Sequence, residues 1–156
     1  MYKNPNIKPL AHDAVKLLII HCVANKCTRP FETKTLINCG VAKYGQPSYH
    51  YYVRRSGEII AILPENARGA HAKHYNSCSL GIVYEGGVNE RGKADNTRTE
   101  AQKNAMFELL KDLTEEYPEA HILGTASSQA SSSPAQISWP AKNMRAYNQK
   151  TVTLKS

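Results

Sequence analysis

The chain has 156 residues, 41% of them hydrophobic and 21% charged, with a formal net charge of +7. That length suits a single domain with a real core, and no stretch approaches the roughly 18 consecutive apolar residues of a membrane-spanning helix. The excess charge is local: residues 1–55 hold nine Lys/Arg and two Asp/Glu, and residues 56–156 hold eleven of each. A basic surface favours anionic partners, yet the cations are scattered and match no nucleic-acid-binding motif. Solubility explains such an excess equally well. The opening residues, MYKNPNIKPLAHDAVK, lack the apolar segment of a secretory signal, so the expected location is the cytoplasm. Cys22, Cys27, Cys39 and Cys78 make no CxxC pair, and reduced thiols are expected. A Cys27–Cys39 disulfide is the alternative for an exported protein.

LLIIHCVA, from Leu17 to Ala24, is apolar on both faces, as a central strand covered on both sides would be. His21 lies near its end, where α/β strands present site residues. ETKTLINCGVAK predicts a short helix. SYHYYVRRSGEIIAIL predicts two strands joined at Ser56-Gly57. There Arg54 and Arg55 read as solvated charges, with an anion contact as the alternative. SCSLGIVYEGG predicts a strand closed by Gly86-Gly87. TRTEAQKNAMFELLKDLTEEYP is the clearest helix: Thr99 and Gln102 form a capping box, Ala105, Met106, Leu109, Leu110 and Leu113 form an apolar stripe, and Pro118 follows. AHILG predicts a strand. After it comes GTASSQASSSPAQ, a Ser-rich stretch without charge, and then PAKNMRAYNQ, read as a last short helix. Alternating strands and helices give an α/β class, a single domain over residues 1–156 with a central mixed sheet flanked by helices.

Several of these stretches resemble one family, the zinc-dependent N-acetylmuramoyl-L-alanine amidases of the type shared by phage lysozymes and peptidoglycan-recognition proteins. The matching segments are IIHCVA around His21, SYHYYVRRSGEI around Tyr49, GAHAKHYNSCSLGIVYEGG around His71 and Asn76, and the long helix. They keep the family's order over residues 17–124. The resemblance implies an α/β fold with a groove for the glycan–peptide junction of peptidoglycan. It also implies a zinc ion held by two His and one Cys, or Asp in some branches. Three protein ligands leave a position for water, whose pKa the metal lowers to about 7.

Carried over residue by residue, His21 matches the first zinc ligand, Tyr49 the catalytic tyrosine and His71 a groove-lining histidine. The Gly-His pair of the second ligand is Gly124-Thr125 here. The cysteine ligand aligns with Gln136, and a neighbouring lysine with Pro134. No Cys, His, Asp or Glu occurs from Ile122 to Ser156, so the Ser-rich stretch stands where the zinc site should close. His121 would lie about 13 Å from Thr125 at the usual strand rise. Cys22 and His50 point to the faces opposite His21 and Tyr49. His71 and His74, on a predicted loop, are not excluded by that geometry. A Trp-His pair of active members is Ile37-Asn38 here, and a glycine between His71 and Asn76 is His74.

The expectation is therefore no zinc and no catalytic residue, with His21 and Tyr49 vestigial. The expected ligand-binding set is His21, Tyr49, His71, Lys73, Asn76, Thr125 and Gln136. Non-catalytic relatives in the recognition-protein branch also lack the cysteine and still bind muropeptides. The first expected function is an inactive amidase homologue that binds a peptidoglycan fragment or an anionic, nucleotide-like small molecule. The alternatives are a scaffold that docks on a host protein and an active amidase with a rebuilt metal site. No membrane partner is expected.

Overall fold

The computed structural model describes residues 1–124 and the backbone of residues 151–153. Its main sheet has six strands in the order β4-β3-β5-β1-β7-β8. These are β1 (Leu17–Cys22), β3 (Tyr51–Val53), β4 (Ile59–Ala61), β5 (Ser79–Tyr84), β7 (His121–Gly124) and β8 (Thr151–Thr153). Only β4 runs antiparallel to its neighbour, so the sheet is mixed, as expected. A second pair, β2 (Asn25–Lys26) with β6 (Gly87–Val88), extends past the ends of β1 and β5. The sequence reading placed no strand at β8. The helix it expected within PAKNMRAYNQ lies outside the described residues.

β1 is central, between β5 and β7, and its residues from Leu18 to Cys22 are all buried. Its alternation sorts two cores. Leu18 and Ile20 join Leu80, Ile82, Val53 and Ile122 beneath Met106, Leu109, Leu110 and Leu113 of α2 (Glu100–Glu116). That is the apolar stripe read from the sequence. On the opposite face, Tyr52, Val83, Ile62 and Leu63 pack with Leu36 of α1 (Thr33–Tyr44).

The N-terminus of α2 is fixed by chemistry the sequence displays. Thr99 Oγ1 accepts from the Gln102 amide at 3.0 Å, and the Gln102 side chain accepts from the Thr99 amide at 3.0 Å. Thr99 Oγ1 also donates to the Arg55 carbonyl at 2.7 Å, and the buried Gln102 donates to the Glu85 carbonyl at 2.8 Å. The cap thus ties α2 to the ends of β3 and β5. Gly45, in the left-handed region at φ 76°, closes α1. The expected turn at Ser56-Gly57 joins β3 to β4, with Gly57 at φ 91°.

α1 also sets the position of Tyr49. A Cβ on Gly40 would stand 2.8 Å from the Ser48 amide and 2.9 Å from the Gln46 carbonyl. Glycine lets the helix lie against the segment that leads into Tyr49 and β3.

Candidate functional site

Three aromatic side chains meet on the sheet face opposite α2. His21, near the carboxyl end of β1, is buried. Its ring centroid lies 5.3 Å from that of Tyr49 and 5.0 Å from that of His71, with the two imidazoles nearly perpendicular at 83°. His21 Nε2 and His71 Nδ1 are 2.9 Å apart, within hydrogen-bond reach. Residues 28 and 50 positions apart in the chain are brought together because β1 and β3 both pair with β5, which carries the segment of Tyr49 toward His21, and because the loop before β5 folds over the sheet.

His71 sits in a slot made by two glycines. A Cβ on Gly81 would lie 2.7 Å from the His71 ring, and one on Gly69 would lie 2.8 Å from it. A side chain at Gly81 would force the imidazole to shift, and one at Gly69 would press on both the ring and the Ser48 carbonyl. The slot is lined further by His50, which is buried and committed to the backbone: its Nε2 donates to the Ala67 carbonyl at 2.6 Å, and its Nδ1 accepts from the Gly81 amide at 3.0 Å. Asn76 works on the loop rather than outward. Its side-chain oxygen accepts from the amides of His71 and Ala72, both at 3.0 Å. Lys73 is exposed.

The electrostatics of the cluster follow from burial. Desolvation lowers the pKa of His21 to about 4. Burial, then the neighbouring His21 and His50, hold His71 well below the ordinary imidazole value. Burial also lowers His50 and pushes the Tyr49 hydroxyl up to about 12. At neutral pH the three histidines are uncharged and Tyr49 keeps its proton.

The structure thus brings together His21, Tyr49 and His71 from the expected set, with Asn76 supporting the loop between them. Thr125 and Gln136 lie outside the described residues. Gly124, the last described residue before the Ser-rich stretch, pairs with Ile20, the residue before His21. His121 pairs with Leu17, four residues from His21 and therefore about 13 Å along the strand. Cys22 is buried beside Gly87. All four cysteines are free thiols.

Two polar residues carry more than the sequence suggested. Glu85, at the end of the apolar β5 segment, is buried and accepts from Arg54 Nε at 2.9 Å, the Arg55 amide at 2.9 Å and the Phe31 amide at 2.7 Å. Burial alone would raise its pKa; Arg54 and the two amides outweigh that and leave it lowered. Arg54 is therefore not the solvated charge expected of it, and Arg55 donates to the Thr97 carbonyl at 2.8 Å. The two line an open cavity of about 430 Å³ with Cys27, Thr28 and Ser56. There Glu85 offsets the charge of Arg54, which weakens an anion contact. A lone acid closing an apolar strand was the available signal. Ser79, buried at the start of β5, is the other: it lies 3.3 Å from His71 Nε2.

The described residues do not fit a family-type zinc centre. Among them no three His, Cys, Asp or Glu side chains converge as a metal site would require. Residues 122–156 supply no such side chain from the sequence. No described helix is long and apolar enough to cross a membrane.

Known proteins bear out the resemblance. The chain is 32% identical over 119 residues to the endolysin of Enterobacteria phage T3, covering 70% of this chain and 72% of that protein. Its fold matches the N-acetylmuramoyl-L-alanine amidase LysC from Clostridium intestinale with TM-score 0.67 at 21% identity, over 95% of both chains. It also matches peptidoglycan recognition protein-LE in complex with tracheal cytotoxin, a monomeric diaminopimelic acid-type peptidoglycan, with TM-score 0.60 at 18% identity, over 76% and 72% of the two chains. The N-acetylmuramoyl-L-alanine amidase family matches residues 11–149, and the chain belongs to that family.

Proposed function

We propose that this protein is an amidase-family member without hydrolytic activity that binds a peptidoglycan fragment in the groove floored by His21, Tyr49 and His71. The observation that carries this reading is the contrast between two parts of one site. The aromatic cluster on the sheet is assembled and hydrogen-bonded. The segment from Ile122 onward supplies no second or third metal ligand, and a catalytic zinc needs three. A similarly folded protein is named as a complex with monomeric peptidoglycan, which supports a muropeptide as the ligand over an anionic nucleotide.

A second reading, an active zinc amidase, is favoured by the family match, which runs through the Ser-rich stretch to residue 149, and by curated relatives named endolysins. Elemental mass spectrometry on untagged protein, purified without chelator, separates the two. Zinc well below one per chain, with muropeptide binding by calorimetry and no lysis of purified sacculi, is the expected result. Zinc near one per chain with lysis abolished by chelator would establish the amidase instead.

A further inference from the structure

The proton positions along the histidine cluster follow from one serine. Ser79 Oγ lies 2.6 Å from the Tyr75 carbonyl, which can only accept, so the single hydroxyl proton of Ser79 goes there. Ser79 Oγ, 3.3 Å from His71 Nε2, is left as the acceptor in that contact, and His71 carries its proton on Nε2. A neutral imidazole with Nε2–H has its lone pair on Nδ1. The 2.9 Å contact between His71 Nδ1 and His21 Nε2 then requires His21 to donate.

We propose that Ser79 and His71 are positioning residues that fix His21 as the Nε2–H tautomer, through the chain His21 Nε2–H to His71 Nδ1, His71 Nε2–H to Ser79 Oγ, and Ser79 Oγ–H to the Tyr75 carbonyl. The ring's lone pair is thereby placed on His21 Nδ1, and the plane of the ring is set by its perpendicular contact with His71. His71 is in this view part of the foundation of the groove and acts on a ligand through His21. The glycine slot supports the assignment: a Cβ on Gly81 would meet the His71 ring first, and one on Gly69 would meet that ring and the Ser48 carbonyl, so the lack of a side chain at Gly81 serves to hold the imidazole. Ser79 is itself fully buried, and its hydroxyl has no solvent role. A partner fixing the tautomer of a site histidine is a general device.

The inference rests on the groove reading only for its functional meaning, since the tautomer exists without ligand. Long-range ¹⁵N–¹H NMR on protein labelled in its histidine rings reads it directly at pH 7. The expected spectrum shows His21, His71 and His50 neutral, each with the proton on Nε2. His21 protonated on Nδ1, or on both nitrogens, would overturn the assignment, and this measurement needs no variant. Ser79→Ala then tests the relay. A folded S79A protein in which His21 becomes a mixture of tautomers is expected, and one in which His21 stays as in the parent overturns the role of Ser79. A muropeptide that fails to bind, while the parent spectrum and its S79A response are as expected, refutes the groove reading and leaves the relay standing.

Discussion

The two faces of the central sheet are built from alternating residues of the same strands and both hold an apolar core, yet only one of them also holds a polar cluster. The face beneath α2 is packed with apolar side chains: Leu18, Ile20, Leu80, Ile82 and Ile122 meet Met106, Leu109, Leu110 and Leu113. The opposite face keeps an apolar core toward α1, with Tyr52, Val83, Ile62 and Leu63 against Leu36, but over β1 and β5 it also carries His21, Ser79 and Gly81, and the space there is filled by His71 and Tyr49. The first face stabilises by area removed from water. The second keeps part of that area and gives up the rest for directed hydrogen bonds. One sheet can therefore carry stability and a site at once, because a strand's period of two keeps them apart.

The largest effect is expected in the core beneath α2. Leu110→Ala should cost about 2–5 kcal/mol, the range for a buried leucine truncated in a tight interior, while leaving the histidine tautomers unchanged. Urea denaturation with histidine NMR on the same variant checks both halves; a changed His21 tautomer would mean that the faces are coupled.

The pH dependence should come from the polar face. His21, His50 and His71 have lowered native pKa values, so below the unfolded imidazole value the unfolded state binds more protons. Stability from these groups is complete above about pH 6.5 and is lost as pH falls toward their native values. For His21, lowered to about 4, the loss approaches about 3 kcal/mol. Chemical denaturation from pH 7.5 to 4.5 measures it. A flat profile would mean that the face tolerates charge.

Gly81→Ala places a methyl where the His71 ring lies. A cost of about 1–3 kcal/mol is expected, with the His21–His71 hydrogen bond lost and muropeptide affinity reduced at least tenfold. Retained affinity would show that the slot is only packing. The smallest effect belongs to Lys73→Ala. Lys73 is exposed, so the stability change should stay within about 0.5 kcal/mol. Any fall in affinity by calorimetry then reports a direct ligand contact.

Local signals were legible where a residue's role depends on near neighbours in the chain. The Thr99–Gln102 capping box, the stripe on α2, the Ser56-Gly57 turn and the doubly covered β1 all lie where the sequence pattern puts them. Arg54 shows the opposite case: beside a turn it reads as a surface charge, and the carboxylate that binds it, Glu85, arrives 31 residues later. Ser79 was missed for another reason: its partners His71 and Tyr75 are near it in the chain, but they meet it only because the loop before β5 folds over.

By itself the sequence determined the family, the order of the main strands and helices through β7 and the ligand-poor segment after Ile122, since motifs, periodicity and residue chemistry are written along the chain. Only the tertiary structure decided which polar residues meet. Parallel pairing of β1 with β5 set the register that carries His21 beside Val83 and Ile19 beside Gly81, and the loop from Gly69 laid His71 across that pair. Hydrogen-bond direction then follows from geometry: a donor is identified by what it faces, and His21 faces a ring 50 residues away in the chain.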